Sequence, residues 1–185
     1  MACRGGMTAW ARLVWAALVA VLICAPAGAA ADVVDSAAGG FTLKTTVQVA
    51  TPPARTYQAL LDIGSWWNKD HTYSGDAKNL SIAAQPGGCY CEKLPDGGAV
   101  EHGRVVNLVP GSLLRLQTAL GPLQELGVTG SMTWQVAASG QGSTVTMTYV
   151  VGGYAPGGLQ KLAPLVDQVL AQQVQNLKAF LDKSR

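Results

Sequence analysis

From residue 79 to residue 151 the chain is cut into short apolar stretches by glycine, proline and aspartate, and beyond residue 158 it switches to a helical period. Residues 80–84, 89–94, 100–109, 113–118, 128–138 and 144–151 read as strands, because each is a short apolar or alternating run bounded by turn residues. The breaks are Gly87-Gly88, Pro95-Asp96-Gly97-Gly98, Pro110-Gly111, Gly121-Pro122 and Gly140-Gln141-Gly142. Connections this short allow hairpins only, so the sheet is antiparallel. Upstream, residues 41–49 (FTLKTTVQV) alternate as a further strand. Thr51-Pro52-Pro53 then opens a short amphipathic helix over 53–62, since proline suits a first helical turn whose amides have no partner. Leu159, Leu162, Val166, Leu170, Val174, Leu177 and Leu181 mark one face of a final helix of about 20 residues. Pro164 either begins that helix after a preceding turn or kinks it. The prediction is an α+β domain with about six or seven strands curved around a long C-terminal helix, the only element large enough to cover the apolar face of the sheet. One helix cannot fill the whole concavity, so a hollow between sheet and helix is expected.

The N-terminus reads differently. Arg4 and Arg12 precede an unbroken apolar run over 13–25, followed by Pro26 and the small residues 27–31. A positive start, a short apolar core and A-x-A-like cleavage options describe an export leader, with cleavage expected after Ala29 or Ala31. Thirteen apolar residues fall short of the roughly 20 that span a bilayer, so no stable membrane insertion is expected once the leader, residues 1–31, is removed. Residues 32–40 are small and polar and read as a flexible lead-in, leaving 41–185 as the domain. The expected location is periplasmic or secreted.

Charge narrows the partners. Of 13 basic residues, Arg4 and Arg12 belong to the leader, and the 11 that remain balance 11 acidic residues. A neutral domain without a basic run does not suit nucleic acid, which requires clustered Lys and Arg. A hydrophobic content of 49% with 13% charged residues excludes a disordered chain.

Removing the leader leaves two cysteines, Cys89 and Cys91. On a regular strand their Cα atoms would stand about 6.6 Å apart with parallel side chains, a poor geometry for a disulfide. They read as two small buried residues, with redox chemistry or metal ligation as alternatives. For the hairpin over 89–109, pairing Lys93 with Glu101 is preferred to pairing Glu92 with Glu101, since opposed like charges are unfavourable. That register turns Cys89, Cys91, Gly103 and Val105 toward the hollow and sends Tyr90, Glu92, His102 and Arg104 to solvent. The candidate ligand-binding residues are Trp66, Trp67, His71, Tyr73, Cys89, Cys91, Glu101 and Tyr154. Trp66 and Trp67 are adjacent and cannot both face one way. His71 and Tyr73 lie near a plausible mouth, Glu101 is a buried acid or a rim carboxylate, and the glycine-rich loop over 152–158 forms part of the entrance.

The order of elements, Trp66-Trp67 with His71, Pro86-Gly87-Gly88 before a strand ending in Glu92, and Asp96-Gly97-Gly98 before Gly103-x-Val105 with Pro110 together resemble one group. It is the START-like (SRPBCC, helix-grip) superfamily, nearest its Hsp90-activator-homologue (AHSA1-like) and polyketide cyclase branch. The segment Gly87 to Glu92 is similar to that of exported members. The resemblance implies a helix-grip fold with a cavity, and a small hydrophobic molecule or lipid as partner. Hsp90 is argued against by the leader, since an exported chain does not meet a cytosolic chaperone. The leading functional expectation is a binding protein for a small, largely apolar ligand. The alternatives are a polyketide cyclase or aromatase-like enzyme with Glu101 or His71 as acid–base group, and a redox or metal protein using Cys89 and Cys91. No catalytic residues and no cofactor are assigned: the chain has no nucleophile–base set, phosphate loop or paired catalytic carboxylates.

Overall fold

Strict alternation builds the strand that organises the sheet. In β2 (Gly40–Val49) Phe41, Leu43, Thr45, Val47 and Val49 are buried while Lys44 and Gln48 are exposed, so a single face meets the core. The computed structural model describes residues 30–183, and the expected leader lies, but for its last two residues, outside them. The other strands are β1 (Ala30–Ala37), β3 (Leu80–Ile82), β4 (Cys89–Lys93), β5 (Ala99–Val109), β6 (Leu113–Thr118), β7 (Gly127–Ser139) and β8 (Gly142–Tyr154). They form one antiparallel sheet in the order β1-β2-β8-β7-β6-β5-β4-β3.

The sheet therefore has eight strands, where six or seven were expected. The difference is β1, which occupies most of the segment expected as a flexible lead-in and pairs with β2 from Ala30↔Thr46 to Ala37↔Gly40. Among its described side chains only Val33 gives it a partly buried apolar anchor, so no alternation betrays it. Its order comes from the open edge of β2, and Asp32 and Asp35 charge the new edge it creates.

Between β2 and β3 the chain crosses from one end of the sheet to the other. It passes through α1 (Pro53–Leu61), which buries Thr56, Tyr57 and Leu60, and then through short 3-10 turns at Ile63–Ser65, Lys69–His71 and Ala77–Asn79. Asn68 and Asp76 cap the second and third of these by accepting the amides of Asp70 and Lys78.

The C-terminal helix, α2 (Ala163–Lys183), buries Ala163, Leu170, Val174, Leu177 and Leu181 along one face. Each such leucine or valine contributes about 1.5–3 kcal/mol through burial. A 3-10 turn at Leu159–Lys161 precedes it, so Pro164 falls in the first turn, where a missing N–H costs nothing. Helix α2 packs on β1 and β2, and the sheet surface toward β4 and β5 is left partly uncovered. Gln173 is fully buried on this helix; its Oε1 accepts the Asn68 amide at 2.8 Å, tying α2 to the turn that carries the tryptophans. Among the described residues no helix is long and apolar enough to cross a membrane.

Candidate functional site

A cavity of about 470 Å3 lies between α2 and the β4–β5 region of the sheet, within the 300–1,000 Å3 usual for small-molecule sites. The sheet supplies Tyr90 and His102, and the turns after α1 supply Trp67, His71, Thr72 and Tyr73. A 3-10 segment, Gly121–Glu125, closes one side with its neighbour Leu120, and the start of α2 adds Leu165, Val166, Val169 and Leu170. One wall is thus mainly aromatic and the other mainly aliphatic, with Thr72 and Glu125 also in the lining.

A β-bulge sets the polar end. Cys91 pairs with Glu101 and Tyr90 pairs with Gly103, so His102 is an extra residue in β5. The bulge leaves both His102 and Gly103 buried opposite Tyr90 and re-phases the strand beyond them. Glu101 and Arg104 consequently share the outer face and form an ion pair, although three residues apart on a regular strand they would point oppositely. The carbonyl of His102 accepts the Thr118 hydroxyl, and the carbonyl of Thr118 accepts the Tyr149 hydroxyl at 3.1 Å. Glycine is required at 103: a Cβ there would collide with the Gln117 carbonyl and with Thr118.

This overturns the register expected for the hairpin and, with it, the facing. Tyr90, Glu92 and His102 are buried, whereas Cys89 and Cys91 are half-buried on the other face. The cysteines form a disulfide with Cα atoms 5.4 Å apart, correcting the expectation of two small buried thiols. Glu101 is an exposed carboxylate paired with Arg104 rather than Lys93. The argument from opposed charges, worth at most about 1 kcal/mol, is outweighed by the gain from burying Tyr90 in place of cysteine.

Glu92 has no exposed surface. Its carboxylate accepts the Ser74 amide and lies 2.9 Å from Nε2 of His102. Burial pushes its pKa up, but hydrogen bonds from Ser74, Tyr73 and His102 outweigh this and hold it below the ordinary value. The carboxylate therefore pins two things at once, the His102 ring and the loop bearing His71 and Tyr73. The Tyr73 hydroxyl donates in turn to the Gly121 carbonyl at 3.2 Å, bridging the mouth. Ring centroids of Tyr90 and His102 are 4.9 Å apart, and those of Tyr73 and His102 5.8 Å. Burial, then the charge of Glu92, pushes the Tyr90 hydroxyl far up, so it stays protonated. With Nε2–H given to Glu92, the other ring nitrogen of His102, Nδ1, is buried without a partner.

Of the residues singled out in the sequence, Trp67, His71 and Tyr73 line the cavity. Trp66 does not: it packs edge-on against Trp134 at 5.9 Å and donates Nε1–H to the Ala59 carbonyl at 2.9 Å. Cys89, Cys91, Glu101 and Tyr154 also lie outside the lining, as does the whole loop over 152–158; Tyr154 is 74% exposed. Glu92, His102 and Tyr90 were missed. The signal for them was the large aromatic between two cysteines, since a tyrosine gains more than a cysteine from facing the core.

A curved sheet that grips one C-terminal helix and leaves a cavity between them defines a START-like, helix-grip protein. A family model described as polyketide cyclase/dehydrase and lipid transport matches residues 40–182, and the chain belongs to that family. Membership implies a small hydrophobic molecule or lipid as its ligand. No functionally curated protein matches the chain. Among solved structures it is similar to protein MLL2253 from Mesorhizobium loti, with a TM-score of 0.58 and 17% identity over 78% of this chain and 98% of that one. An uncharacterised protein from Rhizobium leguminosarum gives a TM-score of 0.57 and 21% identity over 80% and 99% of the two chains. CalU16 from Micromonospora echinospora gives 0.55 and 11% over 83% and 84%. At these identities the likeness shows the fold.

Proposed function

We propose that the protein is an exported carrier that holds one small, largely apolar ligand between β4–β5 and the first half of α2. The observation that carries this reading is the largely aromatic and aliphatic cavity of about 470 Å3, whose few polar lining residues include His102, held from behind by Glu92. Burial of apolar ligand surface, at about 25 cal/mol per Å2, supplies the affinity, and the few polar lining residues set orientation. The leader-like residues 1–31 and the disulfide between Cys89 and Cys91 both support export, since disulfides persist in oxidising compartments.

The Glu92–His102 pair also favours a second reading, an enzyme of cyclase or dehydrase type with His102 as its base. Glu101, which faces away from the cavity, is not available for that role. One experiment bears on all three points: native mass spectrometry of the protein recovered from its producing cells and incubated with a hydrophobic extract. The expected spectrum shows a chain starting at residue 30 or 32 with one retained small molecule of unchanged mass. A chain that retains nothing contradicts the carrier, a chemically altered ligand favours the enzyme, and an intact N-terminus contradicts export.

A further inference from the structure

The Cys89–Cys91 disulfide lies on the face of β4 away from the cavity, yet it closes a loop around a residue of the cavity wall. That residue is Tyr90, which is buried and lines the cavity. Its ring meets Trp67 edge-on at 6.4 Å and His102 at 4.9 Å between centroids. The bond also fixes a length. Its Cα atoms are 5.4 Å apart, whereas two residues along a regular strand span about 6.6 Å. β4 is therefore drawn in at Tyr90.

The bulge occupies the same step of the ladder. Cys91 pairs with Glu101 and Cys89 with Arg104, so two residue steps on β4 face three on β5. A shortened β4 leaves β5 less length for its extra residue, which sharpens the bulge and holds His102 and Gly103 inward against Tyr90. Without the bond nothing covalent keeps β4 short. Its Cα atoms can then part by about 1 Å toward the regular spacing, the bulge opens, and Tyr90 and His102 shift with the wall they form.

Both cysteines are only half-buried, and the charges across from them suit thiol–disulfide exchange. Arg104 stands opposite Cys89 and Glu101 opposite Cys91, so Cys89 is the better thiolate. The thiolate of a dithiol attacks Sγ of Cys91, forming a mixed disulfide, while the Cys89–Cys91 bond breaks and Cys89 leaves as a thiolate. The second thiolate of the dithiol then attacks the dithiol's own sulfur in the mixed disulfide and frees Cys91. The dithiol departs as a cyclic disulfide, and its two electrons and two protons end on the two cysteines.

Resting on the cavity reading above, we propose that the cavity is redox-gated: the disulfide form holds the ligand, and reduction of Cys89–Cys91 by a dithiol loosens the wall at Tyr90 and weakens binding. Linkage then requires bound ligand to resist the reduction by the same factor. The test measures the Kd of 2-methylnaphthalene by equilibrium dialysis for the oxidised protein, for the protein reduced with dithiothreitol, and for Cys89→Ser/Cys91→Ser. Binding is expected to be at least about fivefold weaker in the reduced protein. The double variant should match the reduced form and ignore dithiothreitol. In a companion measurement, alkylation and mass spectrometry give the ratio of reduced to oxidised dithiothreitol that reduces half of the protein; this ratio should rise by the same factor at saturating probe. Equal affinities, or tighter binding by the reduced form, overturn the proposal and leave the cavity reading standing. A reduced protein without the native circular dichroism spectrum also overturns it, since the bond would then hold the fold rather than the wall. If the probe binds neither form, both readings fall.

Discussion

Glu92 is the residue on which the site turns, because it is a fully buried carboxylate whose partners lie on two different segments, Ser74 in the loop and His102 on β5. Its replacement by alanine would strip both partners of their acceptor inside the protein. Leaving a buried donor unsatisfied costs about 1–3 kcal/mol, and two are left here, so Glu92→Ala should lower the urea-unfolding free energy by about 2–6 kcal/mol. The pH dependence has a definite sign. The folded-state pKa is held below the ordinary value, so the unfolded chain takes up the proton first as the solution is acidified. The stabilisation is fully present above the unfolded value of about 4.3 and is lost as pH falls through the folded one. Urea midpoints measured from pH 7 down to pH 3 should decline below about 4.3 in the wild type, and less steeply in Glu92→Gln. Parallel declines in the two proteins would contradict the assignment.

At the scale of elements, the legible parts were those in which pattern alone decides. Alternation in β2, glycine and proline at the hairpin turns, and the leucine face of α2 each specify an element without reference to the rest of the chain. Two features were not legible for the same physical reason: each depends on a neighbour. β1 is a strand because β2 offers an open edge. The facing of β5 relative to β4 depends on one extra residue, His102, and a bulge reverses every side chain beyond it. His71 and Tyr73 could be placed near the mouth because turn chemistry located them, but nothing told which of the two adjacent tryptophans lines the cavity; Glu92 was misplaced because it follows Tyr90 inward by alternation on β4, and His102 because the bulge turns it inward. The disulfide on β4 closes a loop of only three residues, Cys89 to Cys91. Loop-closure entropy for so short a span is about 1.6 kcal/mol, so reduction by dithiothreitol should lower the unfolding free energy by no more than about 2 kcal/mol. Wholesale unfolding on reduction would show that the bond does more than staple its own strand.

For the whole molecule, the fold divides its core unequally. Helix α2 meets β1 and β2 closely, and that end of the domain is filled by Val174, Leu177 and Leu181 from the helix with Leu43 and Val47 from the sheet. Toward β4 and β5 the same helix stands off, with Val166 and Val169 facing Tyr90 and His102 across the cavity. A domain that concentrates its packing at one end and leaves the other hollow gains stability when the hollow is filled, by about 2.7 kcal/mol at a ligand concentration of 100 Kd.

The most direct test of that picture is to fill the hollow from within. Val166 lines the cavity and is only partly buried, so Val166→Trp would place a large ring in the ligand's space. The measurement is the Kd of 2-methylnaphthalene for this variant and for the wild type, on samples with the same circular dichroism. A ligand held between sheet and α2 predicts weakening by at least about tenfold; an unchanged Kd would mean that the ligand lies elsewhere.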